Sequence, residues 1–193
     1  MAVKLPKSIY QGNAIKLAPK LLGKYLVHRT KEGIISGMIT DVEAYPAFAD
    51  EVSHGNRKTK RTEVMYWSGG YGYVYKIYGI HCQFAVVVNR ENVPEVVFIR
   101  AVESKEGIEL MRKNFGRKVE ARVLARSPGN LCKSFGISEE LYGVDLTGNT
   151  LYLEDRGARV GKRDIQTSFR VGINNRLQGS ERKLRYFLRR GAV

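Results

Sequence analysis

A chain of 193 residues, 43% hydrophobic and 27% charged, has the length and composition of one ordinary globular domain and needs no metal or disulfide to build its core. Lysine and arginine number 33 against 19 acidic residues, a net charge of +14 that favours a polyanionic partner, with a solvated basic surface as the plain alternative. The two cysteines, Cys82 and Cys132, lack CxxC or Cys/His spacing, which argues against a metal site or a disulfide framework and for a reducing compartment.

No apolar run approaches the roughly 18 residues of a membrane span, and the amino terminus lacks a signal-peptide pattern. The expectation is a cytoplasmic protein, nucleoid-associated in a prokaryote, with no membrane partner. No repeat, low-complexity tract or linker divides residues 1–193, so a single domain is expected.

Asn13 is placed to cap a helix with Ala14, Leu17 and Leu21 on one face and Gly23 as its stop; Pro19 predicts a bend or a late start. Residues 24–30 and 34–45 read as two strands of a hairpin, joined by a Lys-Glu-Gly turn. Residues 46–70 are polar and irregular, the kind of long loop that carries function. From Gly70 to Asn89 the chain is strand-like and aromatic, with Tyr78-Gly79 as a hairpin turn. Residues 95–103 form another strand. Ser104 is expected to cap a helix ending at Gly116, and Ser127-Pro128 opens another ending at Gly136. Gly148-Asn149 marks a further hairpin, and residues 168–172 and 184–188 read as closing strands. The fold class is α+β, with a largely antiparallel sheet.

Side chains alternate across a strand, so Asp41, Glu43 and Tyr45 share one face, while Met38, Val42 and Ala44 form the buried one. An acid beside a tyrosine, leading into a polar loop with His54, is either a pocket wall or a solvated strand face. Tyr71, Tyr73 and Tyr75 also share a face, where core packing accounts for at least one. Tyr78 sits at a hairpin tip, either folded back on the sheet or free to wedge between base pairs. Arg100 interrupts an apolar face with Val96, Phe98 and Val102, so it requires a carboxylate such as Glu43, another acid, or a phosphate.

The order Glu43-Ala44-Tyr45, His54, Thr59, Arg61, Met65-Tyr66 and Tyr73-Val-Tyr75-Lys-Ile-Tyr78-Gly79 resembles the signature of the alkyladenine (3-methyladenine) DNA glycosylases. The similarity continues through Ile99-Arg100-Ala101, Ser127-Pro-Gly-Asn-Leu131, Arg170-Val-Gly172 and Arg185-Tyr-Phe187, covering roughly residues 10 to 190. The resemblance implies a curved antiparallel sheet surrounded by helices, no cofactor or metal, and a protein acting as a monomer on duplex DNA containing damaged purines. It implies Glu43 as general base and Arg100 as holder of the nucleophilic water. Tyr45, His54 and Tyr75 would sandwich the flipped base, and Tyr78 would fill the gap left in the duplex. One departure is implied too: where the family often has an asparagine opposing the amino group of guanine, alignment puts Ala85, which predicts a broader or shifted base preference.

Such chemistry suits these residue types. Extruding a base costs a few kcal/mol, less for a damaged one. Electron-rich rings attract an alkylated, cationic purine by roughly 0.5 to 2 kcal/mol. That purine leaves without protonation, so one carboxylate suffices where glycoside hydrolases use two. A strand-cutting lyase would need an amine nucleophile; Lys76 is expected to face away from Tyr75, hence no lyase activity. Two other readings compete: a non-catalytic module that binds modified or flipped bases, and an RNA-binding β-domain. The basic residues near the end (Arg156, Arg159, Lys162, Arg163, Arg170, Arg176, Arg182, Lys183, Arg185, Arg189 and Arg190) are expected to contact phosphates, so that affinity falls steeply with salt.

Overall fold

The computed structural model describes residues 2–48, 50–189 and 191. Its strands are β1 (Val3–Lys4), β2 (Tyr25–Thr30), β3 (Gly33–Tyr45), β4 (Gly72–Ile77), β5 (His81–Val88), β6 (Glu95–Glu106), β7 (Leu151–Asp155), β8 (Ile165–Ser168) and β9 (Arg185–Leu188). The α-helices are α1 (Ala14–Leu21), α2 (Ile108–Phe115), α3 (Ala121–Leu124) and α4 (Pro128–Phe135). Among the described residues these strands form one sheet in the order β1-β7-β2-β3-β6-β5-β4, with β9 joined to β3 and β8 to β9. Every strand pairing is antiparallel. The fold is α+β, as the sequence indicates.

The helices cover one face. The Asn13 side chain accepts from the Ile15 and Lys16 N–H groups, so α1 begins at once rather than late, and Pro19 sits inside it. Ala14, Leu17, Ala18 and Leu21 recur at helical spacing and are buried, each leucine stabilising the fold by about 1.5–3 kcal/mol. They join Met111 and Phe115 of α2 and Leu131 and Phe135 of α4 against Ile39, Ala44, Val86 and Val97 of the sheet. The opposite face carries a second, smaller cluster around Tyr73, Ala85 and Phe98.

The register accounts for this division. Glu43 pairs with Phe98, Phe98 with Ala85, and Ala85 with Tyr73, so four adjacent strands place one row of side chains on one face. The neighbouring row, Ala44, Val97 and Val86, belongs to the helix-covered core.

Several sequence expectations need correction. Between the pairs Ile39↔Val102 and Asp41↔Ala101, β3 carries the extra residue Thr40; between Asp41↔Ala101 and Val42↔Ile99, β6 carries the extra residue Arg100. Each bulge reverses the alternation. Ile35 and Ile39, not Met38, therefore join Val42 and Ala44 in the larger core, and Val102 lies there rather than with Phe98. Ser104 caps no helix. It pairs with Gly37 inside β6, which runs on to Glu106 because β3 still offers an edge, and the α2 N-cap is Gly107 at φ 74°. Gly148-Asn149 is a turn into β7, which pairs with β1 and β2 and forms no hairpin there. Strand β8 ends at Ser168, and residues 169–172 leave the sheet as a strap.

Candidate active site

Glu43 has no exposed surface, yet its carboxylate is fully engaged. Tyr45 Oη donates to Oε2 at 2.9 Å, the Val171 N–H donates to Oε1 at 2.8 Å, and Arg100 Nη1 lies 3.1 Å from Oε1. The bulge makes this possible, because Arg100 is the unpaired residue that β6 inserts two places after Phe98, the partner of Glu43. Asp41 completes the cluster, 3.9 Å from Arg100 Nε and bound by Arg185 Nη2 at 2.6 Å.

Burial raises the Glu43 carboxyl above its ordinary value, opposed by the Arg100 charge, the Val171 N–H and the Tyr45 hydroxyl, while the Asp41 charge adds a smaller push upward. Burial, then the nearby Glu43 charge, raise the Tyr45 phenol, so it stays protonated as a donor.

In front of this carboxylate opens a cavity of about 600 Å³. Tyr45, His54, Tyr75, Tyr78, Ala85 and Arg100 all line it, so six of the seven residues singled out from sequence meet in one place, and Glu43 lies directly behind Tyr45, Arg100 and Val171. His54 meets the Tyr75 ring edge-on at 5.0 Å, and the Tyr73 and Tyr75 rings stack at 4.7 Å. Desolvation and then the Arg61 guanidinium hold the His54 imidazole below its usual value, which keeps it neutral at physiological pH. Arg61 lies over the Tyr75 ring, 5.1 Å from its centroid. Lys76 reaches the cavity rim, but its ammonium forms an ion pair with Glu139.

Tyr78 stands at the tip of the β4–β5 hairpin, 91% exposed, with Ile80 beside it at 75%. Tyr78 and Gly79 both have positive φ, 52° and 69°. For a tyrosine that backbone costs roughly 1–2 kcal/mol, so an exposed aromatic is held at the cavity mouth under strain.

Part of the basic set lies elsewhere than the sequence suggests. Arg170 is fully buried with Asp50, Nη1 to Oδ2 at 2.8 Å; it donates to the Ala44 and Gly179 carbonyls and stacks over Tyr45 at 4.8 Å. Its side chain touches no solvent, so it is not a phosphate contact. Arg185 is bound to Asp41, and Arg156 to Glu154 and Glu106. Arg159, Lys162, Arg163, Arg176, Lys183 and Arg189 are exposed and Arg182 half-buried, while Arg190 lies outside the described residues. The Arg170–Asp50 pair and the Val171 N–H are not legible in the sequence, because their partners lie more than 100 positions away. Among the described residues no cluster of three or more His, Cys, Asp or Glu is placed to hold a metal ion, and no helix is long and apolar enough to cross a membrane.

Comparison with known proteins adds an independent finding. A relative from Desulfitobacterium hafniense (strain Y51), named "Putative 3-methyladenine DNA glycosylase", is 35% identical over 194 residues, covering 96% of this chain and 95% of that protein. Relatives of the same name from Clostridium acetobutylicum and Bacillus thuringiensis (strain Al Hakam) are 36% identical, covering 97% of this chain and 95% of theirs, and 40% identical, covering 79% and 78%. The methylpurine-DNA glycosylase family model matches residues 8–192. The chain belongs to the methylpurine-DNA glycosylase family, hydrolases that act on N-glycosyl bonds in DNA.

Proposed function

We propose that this protein flips a damaged, often alkylated, purine from duplex DNA into the cavity and hydrolyses its N-glycosidic bond. The observation that carries this reading is the buried Glu43 carboxylate, held by Tyr45, Arg100 and Val171 immediately behind a cavity walled by Tyr45, His54 and Tyr75.

In this reading Tyr45, His54 and Tyr75 grip the base and Tyr78 fills the space it vacates in the duplex. A water enters by displacing the Val171 N–H from Oε1, and Arg100 holds it beside the carboxylate. Its oxygen bonds to the sugar C1′ as the C1′–N bond breaks, the bonding pair leaves with the purine, and the proton passes to Glu43. A purine alkylated at N3 or N7 leaves as a neutral base and needs no acid. The neutral His54 suits such a cation, since a charged imidazole would repel it. Lys76, the lysine that lines the cavity among the described residues, is paired to Glu139 rather than offered for a Schiff base, so the product is an abasic site and the strand stays intact.

Residues 1–193 act as a single glycosylase domain and as a monomer, without a cofactor. The free cysteines Cys82 and Cys132 suit a reducing cytoplasm.

Single-turnover assay on a methylated duplex tests the assignment. Glu43→Gln should lower base release at least about 100-fold, the scale of a lost general base, while lesion-duplex binding persists. Wild-type protein that binds the duplex but frees no base would make it a binding module instead.

A further inference from the structure

The cavity floor contributed by β5 has two residues, Gln83 and Ala85, which lie two apart and therefore share a face. Their partners across the ladder are Tyr75 and Tyr73. Ala85 presents only a methyl group. Gln83 presents a primary amide, and that amide has a fixed orientation: Tyr75 Oη donates to Gln83 Oε1 at 3.0 Å. With its oxygen bonded to Tyr75, the amide has Nε2, a pure donor, left over in a side chain that lines the cavity. Burial raises the Tyr75 phenol, so the hydroxyl keeps its proton and continues to hold the amide in that orientation.

Gln83 also lies at the right remove from the chemistry. It sits two strands across from Glu43 by way of β6 and two residues along β5 from Ala85, the residue in Glu43's own row, about 12 Å at the usual inter-strand spacing and rise per residue. That span matches the reach from a sugar carbon beside a carboxylate-held water to the far, six-position edge of its purine. The second donor nearby, the Arg61 guanidinium, lies over the same Tyr75 ring and reinforces the preference for an acceptor.

Resting on the glycosylase reading above, we infer that Gln83 is a specificity-determining residue that donates from Nε2 to a 6-oxo group, favouring damaged purines with a carbonyl there, such as 7-methylguanine and hypoxanthine, over those with a 6-amino group. A 6-amino group would set donor against donor. Undamaged guanine carries the same oxygen, so the choice of damaged over normal base stays with ring charge and ease of extrusion, and Gln83 acts only among lesions.

The test is release of 7-methylguanine and 3-methyladenine from one methylated duplex, and of hypoxanthine from a second duplex, under single-turnover conditions. Gln83→Met keeps the side-chain length and removes the donor. It should lower 7-methylguanine and hypoxanthine release roughly five- to tenfold, the scale of one neutral hydrogen bond, and change 3-methyladenine release less than twofold. Tyr75→Phe is the second variant: it keeps the ring but frees the amide to rotate, so the ratio of 7-methylguanine to 3-methyladenine should fall toward that of Gln83→Met. Thermal melting identifies any variant that fails to fold, and the other then decides. A ratio unmoved in the folded variants, or an equal fall for all three bases, overturns the inference and leaves the glycosylase reading standing. A wild-type protein that releases none of the three bases takes both down together.

Discussion

The two ends of the cavity are built on opposite principles. At the Glu43 end every charged group is tied. Glu43 has three partners, Asp41 is held by Arg185, and Arg170 with Asp50 forms a pair in which neither side chain meets solvent. At the hairpin end Tyr78 and Ile80 project into water from a strained turn. The difference teaches where each kind of residue is useful. A carboxylate proposed to act at a sugar carbon gains from being fixed before the substrate arrives. A side chain proposed to probe a duplex has no partner until DNA supplies one.

The largest effect is expected from breaking the fixed end. Asp50→Asn leaves the Arg170 charge buried without a counter-charge, and removing one member of such a pair costs about 3–5 kcal/mol. Chemical denaturation would read the loss. Arg170 also bonds the Ala44 carbonyl, between Glu43 and Tyr45, stacks on Tyr45, and precedes Val171 in the chain. The double change Asp50→Leu with Arg170→Met should therefore recover most of the stability but not the rate of base release. Full recovery of both would reduce the pair to a structural one.

Breaking the free end should look different. Base–aromatic stacking is worth about 1–3 kcal/mol by alanine substitution, so Tyr78→Ala should weaken lesion-duplex binding roughly five- to 150-fold without lowering the melting temperature of the free protein. Tyr78→Gly sharpens the contrast: relief of the positive φ should leave stability equal or higher while binding still falls. A variant that melts earlier and binds normally would show that Tyr78 serves the fold.

The same division explains what could be read from the sequence. The free end was legible, because Tyr78-Gly79 between an alternating aromatic run and a second strand-like run is a local signal, and a residue with no tertiary partner has no long-range surprise. The row Glu43, Phe98, Ala85 and Tyr73 was half legible: each strand was in view, but register joins residues far apart. The bulges at Thr40 and Arg100 were invisible, since alternation assumes an unbroken pleat, and so Met38 and Val102 were assigned to the wrong faces. Arg170 was misread for a related reason. In sequence it is one more arginine in a basic stretch, and only the fold brings Asp50 to it.

The smallest effect is also the most discriminating, because it concerns a proton rather than a contact. In the proposed mechanism base release requires ionised Glu43, whose carboxyl is raised by burial and held partly down by Arg100, the Val171 N–H and the Tyr45 hydroxyl. The single-turnover rate should therefore fall on the acid side with an inflection above the ordinary carboxylate range. Tyr45→Phe keeps the ring and removes one hydrogen bond to the ionised form, so the inflection should move to higher pH. Arg100→Gln removes the largest of the opposing influences and should move it further in the same direction. At pH well above both inflections Tyr45→Phe should approach the wild-type rate, since its loss is one of proton affinity. An acid limb that stays put in both variants would mean that some other group titrates, and that the carboxylate at the fixed end is not the base.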